Sequence, residues 1–167
     1  MGAEARRQPT VELSVRRFDD YYHLHHDRVF RALALTVNDA DLAAEATDEA
    51  MARTYQHWRS VSGYANPAGW IYRVGLNWAR SRFRRRRREV GGLAIDAPVW
   101  DPEPLDPAVA RAIDSLPLPS RSVIVLRFFV DWSLEAIAEG LGVPVGTVKS
   151  RLHRALRRLE ESLGGHP

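Results

Sequence analysis

The sequence predicts an all-α protein: two small helical domains joined by a flexible linker. Apolar residues recur at three- and four-residue spacing from Val15 to Arg88 and again from Asp106 to Leu163, which is the period of one helix face. Residues 1–88 show no strand alternation. Between the two units, EVGGLAIDAPVWDPEPLDP at 89–107 holds Gly91, Gly92 and four prolines without a sustained period, so it reads as a linker.

Taken in order, residues 1–13 are expected to be a disordered N-terminus, followed by helices at about 14–35, 40–58 and 67–88. TVNDAD at 36–41 and RSVSGYANP at 59–67 separate them; Asp39 can cap the second helix and Pro67 suits the first turn of the third. Three such helices make one small bundle, at 14–88. The linker is acidic (Glu89, Asp96, Asp101, Glu103, Asp106), directly after the most basic run of the chain: Arg80, Arg82 and Arg84 through Arg88. The second unit spans 108–163 and leaves a tail at 164–167.

Within that unit, Ser133 is placed to cap a short helix whose inner side is Leu134, Ile137, Ala138 and Leu141, and Gly142 breaks it. Ala138, Gly142, Val143 and Val148 have the small-residue, tight-turn, apolar-anchor spacing of a helix-turn-helix. The helix after the turn separates an apolar face (Val148, Leu152, Ala155, Leu159, Leu163) from a donor-rich one (Gly146, Lys149, Ser150, His153, Arg154, Arg157). An ordinary helical hairpin with solvated arginines is the bland alternative, and it requires turn chemistry and face segregation to agree by accident.

The chain has 167 residues, 45% hydrophobic and 9% aromatic, which suffices for packed cores. Its formal charge is only +3 and Lys149 is the only lysine, so the distribution of the arginines matters more than their sum. Without cysteine there is no disulfide framework or thiolate metal site, which fits a reducing cytoplasm. No apolar run approaches the roughly 20 residues of a membrane span. MGAEARRQPTVEL lacks the apolar core of a signal peptide, so a cytoplasmic protein is expected.

In NPAGWIYRVGLNWARSRFRRRRR, Trp70, Ile71, Val74 and Trp78 stand beside Asn77 and a basic continuation. Rings beside cations suit a single-stranded nucleic acid, because bases stack while Arg neutralises phosphate. The tryptophans and Ile71 are assigned to the core. The Arg run is assigned to nucleic acid, since charges this dense repel unless a polyanion compensates them.

Together the two halves resemble the extracytoplasmic-function (ECF, group IV) bacterial sigma factors, which consist of sigma region 2, a linker and sigma region 4. The resemblance rests on LPLPSRSVIVLRFFVDWSLEAIAEGLGVPVGTVKSRLHRALRRL for region 4 and WIYRVGLNWARSRFRR for region 2, and covers about 15–163. It implies that Glu45, Asp48 and Glu49 face core RNA polymerase. It implies −10 strand contact by Ser62, Tyr64, Asn66, Asn77, Arg80 and Arg84, with Asn77 and the 62–66 loop holding an unstacked base. It further implies −35 duplex reading by Thr147, Lys149, Ser150, Arg151, His153, Arg154 and Arg157, with Arg154 as a bidentate guanine contact. The acidic linker would pass into the polymerase as a polyanion mimic.

Two places depart from the family pattern. Glu45, Asp48-Glu49 and Met51 stand where the family shows Asp, Gln-Glu and Phe, and Val61-Ser62-Gly63-Tyr64 stands where its loop carries Phe-Arg-Gly. The resemblance implies core polymerase and promoter DNA as partners, leaves room for an anti-sigma factor, and calls for no cofactor or small-molecule substrate.

Among other classes, a helix-turn-helix regulator that does not replace the sigma subunit needs a receiver or ligand domain, which residues 1–88 do not offer. His23, His25 and His26 raise the question of a metal, but no Asp, Glu or Cys at ligand spacing completes a site. With no P-loop, no G-x-S-x-G and no nucleophile–base pair, the protein is not expected to be an enzyme; the polymerase supplies the chemistry.

Overall fold

The computed structural model describes residues 8–89 and 105–164, with side chains from Arg17 onward. Every regular element among them is helical. The expected disorder at 1–7, the 90–104 part of the linker and residues 165–167 lie outside the described residues.

Helix α1 runs Gln8–Val37, so residues 8–13, expected to be disordered, are helical. Asn38 ends the helix in the left-handed conformation (φ 53°), and Asp39 caps α2 (Ala40–Gln56) by accepting from Leu42 N at 2.9 Å. The inner side of α2 is small: Ala43, Ala46 and Ala50 are fully buried, and Thr47 and Thr54 satisfy their hydroxyls on the carbonyls four residues back. Small residues let α4 (Pro67–Glu89) approach closely. At Gly75 a Cβ would meet Leu33 Cδ1 at 2.7 Å and the Ala46 carbonyl at 3.2 Å. The second helix ends at Gln56 rather than at 58, and Trp58–Val61 form a separate turn, α3. That break places Trp58 against Phe18 and Tyr21, with ring centroids 5.4 and 5.2 Å away.

In the second half, Asp106 caps α5 (Pro107–Asp114) through Ala108 N at 2.7 Å. Helix α6 (Leu118–Ile124) then widens into a π turn, Val125–Phe129, that nothing in the sequence announced. Val130 N bonds Val125 O at 3.2 Å across it, and Asp131 turns the chain at φ 59°. Helix α7 (Leu134–Leu141) is capped by Ser133, which accepts from Ala136 N at 3.1 Å, and ends at Gly142 (φ 66°). After that turn α8 spans Val145–Leu163. Val148 and Ala155 are buried and Leu152 and Leu159 half-buried as expected; Leu163 is 38% exposed because the helix end outruns the body it packs on.

The two halves do more than share a linker. One apolar core joins Leu33, Ile71 and Tyr72 of the first to Val123, Leu126, Val130 and Ile137 of the second. Hydrogen bonds cross the seam as well: Arg121 Nη1 donates to Thr36 O at 2.9 Å, Asn66 Nδ2 to Ala136 O at 3.1 Å, and Arg28 to Val130 O. Sequence periodicity identifies buried faces without saying which face meets which.

Tyr72 is completely buried, its hydroxyl 2.8 Å from Thr36 Oγ1. Burial pushes Tyr72, and Tyr21 beside Trp58, up to about 12 from the ordinary 10.0. Above pH 10 the unfolded chain releases protons that the folded chain retains. Stability should therefore be intact below about pH 10 and fall between about pH 10 and pH 12. Urea midpoints on either side of pH 10 should show the loss, and Tyr72→Phe should flatten it.

Candidate functional site

Helix α8 displays the separation of faces read from the sequence. Gly146, Lys149, Ser150, His153, Arg154 and Arg157 are all exposed, while Thr147 and Arg151 are half-buried. At Gly146 a Cβ would meet nothing within 4 Å, so the start of the helix faces open space. Ser150 Oγ donates to Thr147 O at 3.0 Å and Arg154 Nε to Ser150 O at 3.2 Å, which leaves the tip of the Arg154 guanidinium pointing outward. Among the described residues the one ion pair of α8 is Arg157–Glu161, at 3.7 Å.

Beside that face is a groove that the sequence did not reveal. Pro117, Pro119 and Ser120 from the start of α6 face Arg151, Arg154, Arg157, Arg158 and Glu161 of α8 across ≈ 530 Å³. Arg158 was not among the expected contacts, although its spacing of seven from Arg151 and four from Arg154 places all three on one side of a helix. Four guanidiniums against one carboxylate make the groove a cation cluster suited to phosphate groups.

The second basic surface is the end of α4. Asn77, Arg80 and Arg84 are exposed. The Arg run is partly compensated within the molecule: Arg86 lies 3.5 Å from Glu45 and 3.9 Å from Asp39, and Arg82 is 3.9 Å from Glu45. Arg87 stacks over Phe83 at 5.9 Å. Trp70 and Trp78 pack against the core and Ile71 is fully buried, in line with their assignment, and Val74 packs there too.

Glu45, Asp48 and Glu49 of α2 each have an arginine or histidine neighbour. Besides Glu45 with α4, Glu49 bonds Arg53 at 2.7 Å and Asp48 lies 3.5 Å from His26 Nε2. All three remain on the surface or half-exposed. Of the other histidines, His25 turns onto the Tyr21 ring at 4.1 Å, where burial and Arg28 lower its pKa. In the loop before α4, Ser62 and Tyr64 are exposed. Asn66 is different: its Oδ1 accepts from Gly69 N at 2.9 Å, capping α4, and its amide reaches across to Ala136 O. The structure thus groups Thr147–Arg157 on one helix, and Asn77, Arg80 and Arg84 on another.

Two domain families match: sigma-70 region 2 over residues 21–89 and sigma-70 region 4 over 107–159. The RNA polymerase sigma-E factor of Streptomyces coelicolor is 32% identical over 158 residues, spanning 89% of this chain and 87% of that protein. The ECF RNA polymerase sigma factor SigM of Mycobacterium tuberculosis is 32% identical over 151 residues, spanning 88% and 77%. The chain belongs to the ECF RNA polymerase sigma factors. The solved structure of the sigma factor RpoE in complex with the anti-sigma factor NepR from Bartonella quintana covers 91% of this sigma factor and 99% of that chain. Its TM-score of 0.78 at 24% identity shows the shared fold. No described helix of this sigma factor is long and apolar enough to cross a membrane.

Proposed function

We propose that this ECF sigma factor, of group IV, binds core RNA polymerase and directs it to promoters, reading the −35 element as duplex with α8 and the −10 element as a melted strand with α4 and the loop before it. The observation that carries the reading is the exposed row Lys149, Ser150, His153 and Arg154, which packing does not use and intramolecular carboxylates do not neutralise. A major groove offers such a row donors and acceptors that distinguish all four base pairs. The polymerase provides the catalysis, and the protein acts in its compartment, the cytoplasm. An anti-sigma factor is a further proposed partner, supported by the complexes in which related folds were solved.

Run-off transcription with core polymerase and a genomic promoter library tests this. Promoter-dependent transcripts should require the protein; their absence favours a helix-turn-helix regulator that does not replace the sigma subunit.

On α2, Asp48 and Glu49 carry the proposed polymerase contact. Their pairs with His26 and Arg53 are solvent-exposed and individually weak, so a basic polymerase surface can displace them. Reversing both charges should weaken polymerase pull-down by more than about 10-fold, since like charges across an interface repel. Duplex binding by the same variant should be unchanged.

A further inference from the structure

We propose that Ser120 is a phosphorylation site whose phosphate is captured by the arginines of α8, which shuts the −35 surface. The shut-off rests on the reading of α8 as a duplex contact; the capture does not.

Ser115, Ser120 and Ser122 stand close together in the chain, and their hydroxyls differ. Ser115 Oγ donates to Ala112 O at 2.7 Å, and Ser122, which is buried, donates to Leu118 O at 3.0 Å. Ser120 is half-buried and lines the groove, and its hydroxyl has no hydrogen-bond partner among the described residues. Its neighbour Arg121 does not compete for an anion there, because that guanidinium is engaged by Thr36 O, Leu116 O and Asp114. Across the groove, Arg157 has a carboxylate of its own in Glu161 at 3.7 Å, which leaves Arg151, Arg154 and Arg158. Spacings of three and four put these on one side of α8. A phosphoserine carries about −1.5 to −2 charges at neutral pH, with three strong acceptor oxygens. Guanidinium forks match pairs of phosphate oxygens, so a phosphate on Ser120 meets the donors it needs.

The transfer is that of a serine/threonine protein kinase. The γ-phosphoryl of a nucleoside triphosphate passes to Ser120 Oγ: its bond to the β-phosphate oxygen breaks, a bond to Oγ forms, the hydroxyl proton goes to the kinase's general base, and the nucleoside diphosphate leaves. Ser120 lies in the first turn of α6, where Ser120 N and Arg121 N both donate to Pro117 O at 2.9 Å. Pro117 ahead of it is exposed and extended (ψ 142°), so a kinase reaches the hydroxyl by opening the helix start. The consequence for DNA follows from which arginines are taken. Arg154 is the proposed base reader and Arg158 the phosphate contact, and the added negative charge repels the duplex backbone as well. Asp48 and Glu49, on α2, lie outside the groove, so the polymerase contact is left as it was.

Full-length protein with phosphoserine installed at 120 by genetic code expansion tests this, beside protein with phosphoserine at 115, which has the same charge but does not line the groove. At 120 the phosphate should raise the melting temperature by about 2–4 °C, because it ties α6 to α8, and Arg158→Ala should shrink that rise. At 115 it should give no rise. Affinity for a −35 duplex, read by anisotropy at fixed salt, should fall at least about 10-fold with phosphoserine at 120. The fall should be less than about 2-fold at 115, a charge outside the groove being screened by salt. Pull-down of core polymerase should be the same for both. Mass spectrometry of the chain recovered from the bacterium that makes it, through growth and stress, should find phosphate on Ser120.

No rise in melting temperature at 120, or an equal rise at 115, overturns the capture. A rise with unchanged duplex affinity overturns the shut-off and leaves the −35 reading standing. Unmodified protein that binds no duplex removes the −35 reading, and the shut-off with it, while the melting temperatures still decide the capture. A chain that carries no phosphate on Ser120 under any condition overturns its assignment as an acceptor.

Discussion

Leu126→Ala should lower the unfolding free energy by about 2–5 kcal/mol, the range for a buried leucine whose surroundings relax incompletely. Leu126 has no exposed surface and sits at the start of the π turn, in the core that both halves share. Its side chain cannot be replaced by water without a polar lining, and its neighbours Val123, Val125 and Ile137 are themselves fully buried. Urea denaturation should show a shifted midpoint. Both halves should be affected in one transition, because the cavity opens in their common core. Leu24→Ala is the control: Leu24 is 74% exposed, so that change should stay within about 0.5 kcal/mol.

Arg154→Ala should cost about 1–3 kcal/mol of discrimination, concentrated at one −35 base pair, if the outward guanidinium makes a bidentate contact to guanine. Arg158→Ala should behave differently although it lies one turn away. Arg158 lines the groove with Arg151, Arg154 and the start of α6 but lies outside the row Lys149, Ser150, His153 and Arg154, so it is placed for a phosphate and its loss should weaken all duplexes alike. The slope of log affinity against log salt should shrink by about 0.9 for that single contact. Titrating both variants against a −35 duplex and its single-position mutants, at several salt concentrations, separates them. A loss at Arg154 spread evenly over every sequence would remove its assignment as a base reader.

Much of this was legible in the sequence because caps and periodicity are local. Asp39, Ser133 and Gly142 do what their positions suggest, since each acts on backbone within four residues. The exposed face of α8 was legible for the same reason. Three features were not. The cross-bond of Asn66 depends on Ala136, 70 residues away in the chain. The groove at Arg158 requires α6 to lie across α8, and the partial neutralisation of the Arg run requires α4 to lie beside α2. These are facts about which faces meet, and a helical period carries no address. The helical residues 8–13 were missed for a simpler reason, because a proline such as Pro9 reads equally well as a stop or as part of a first turn.

The π turn at Val125–Phe129 has an evolutionary side. A turn closed by a bond spanning five residues holds one residue more than an α-helical turn, so everything after it is rotated by about 100° relative to an uninterrupted helix. Losing a single codon there would leave a continuous helix intact and every downstream side chain unaltered, yet α7 would emerge on a different bearing. Substitutions in this segment are therefore graded in their effects, whereas a one-residue deletion is a switch of geometry. Lineages of this sigma factor should tolerate varied residues at Phe128 and Phe129, both of which face solvent, and conserve the length of the segment that carries them.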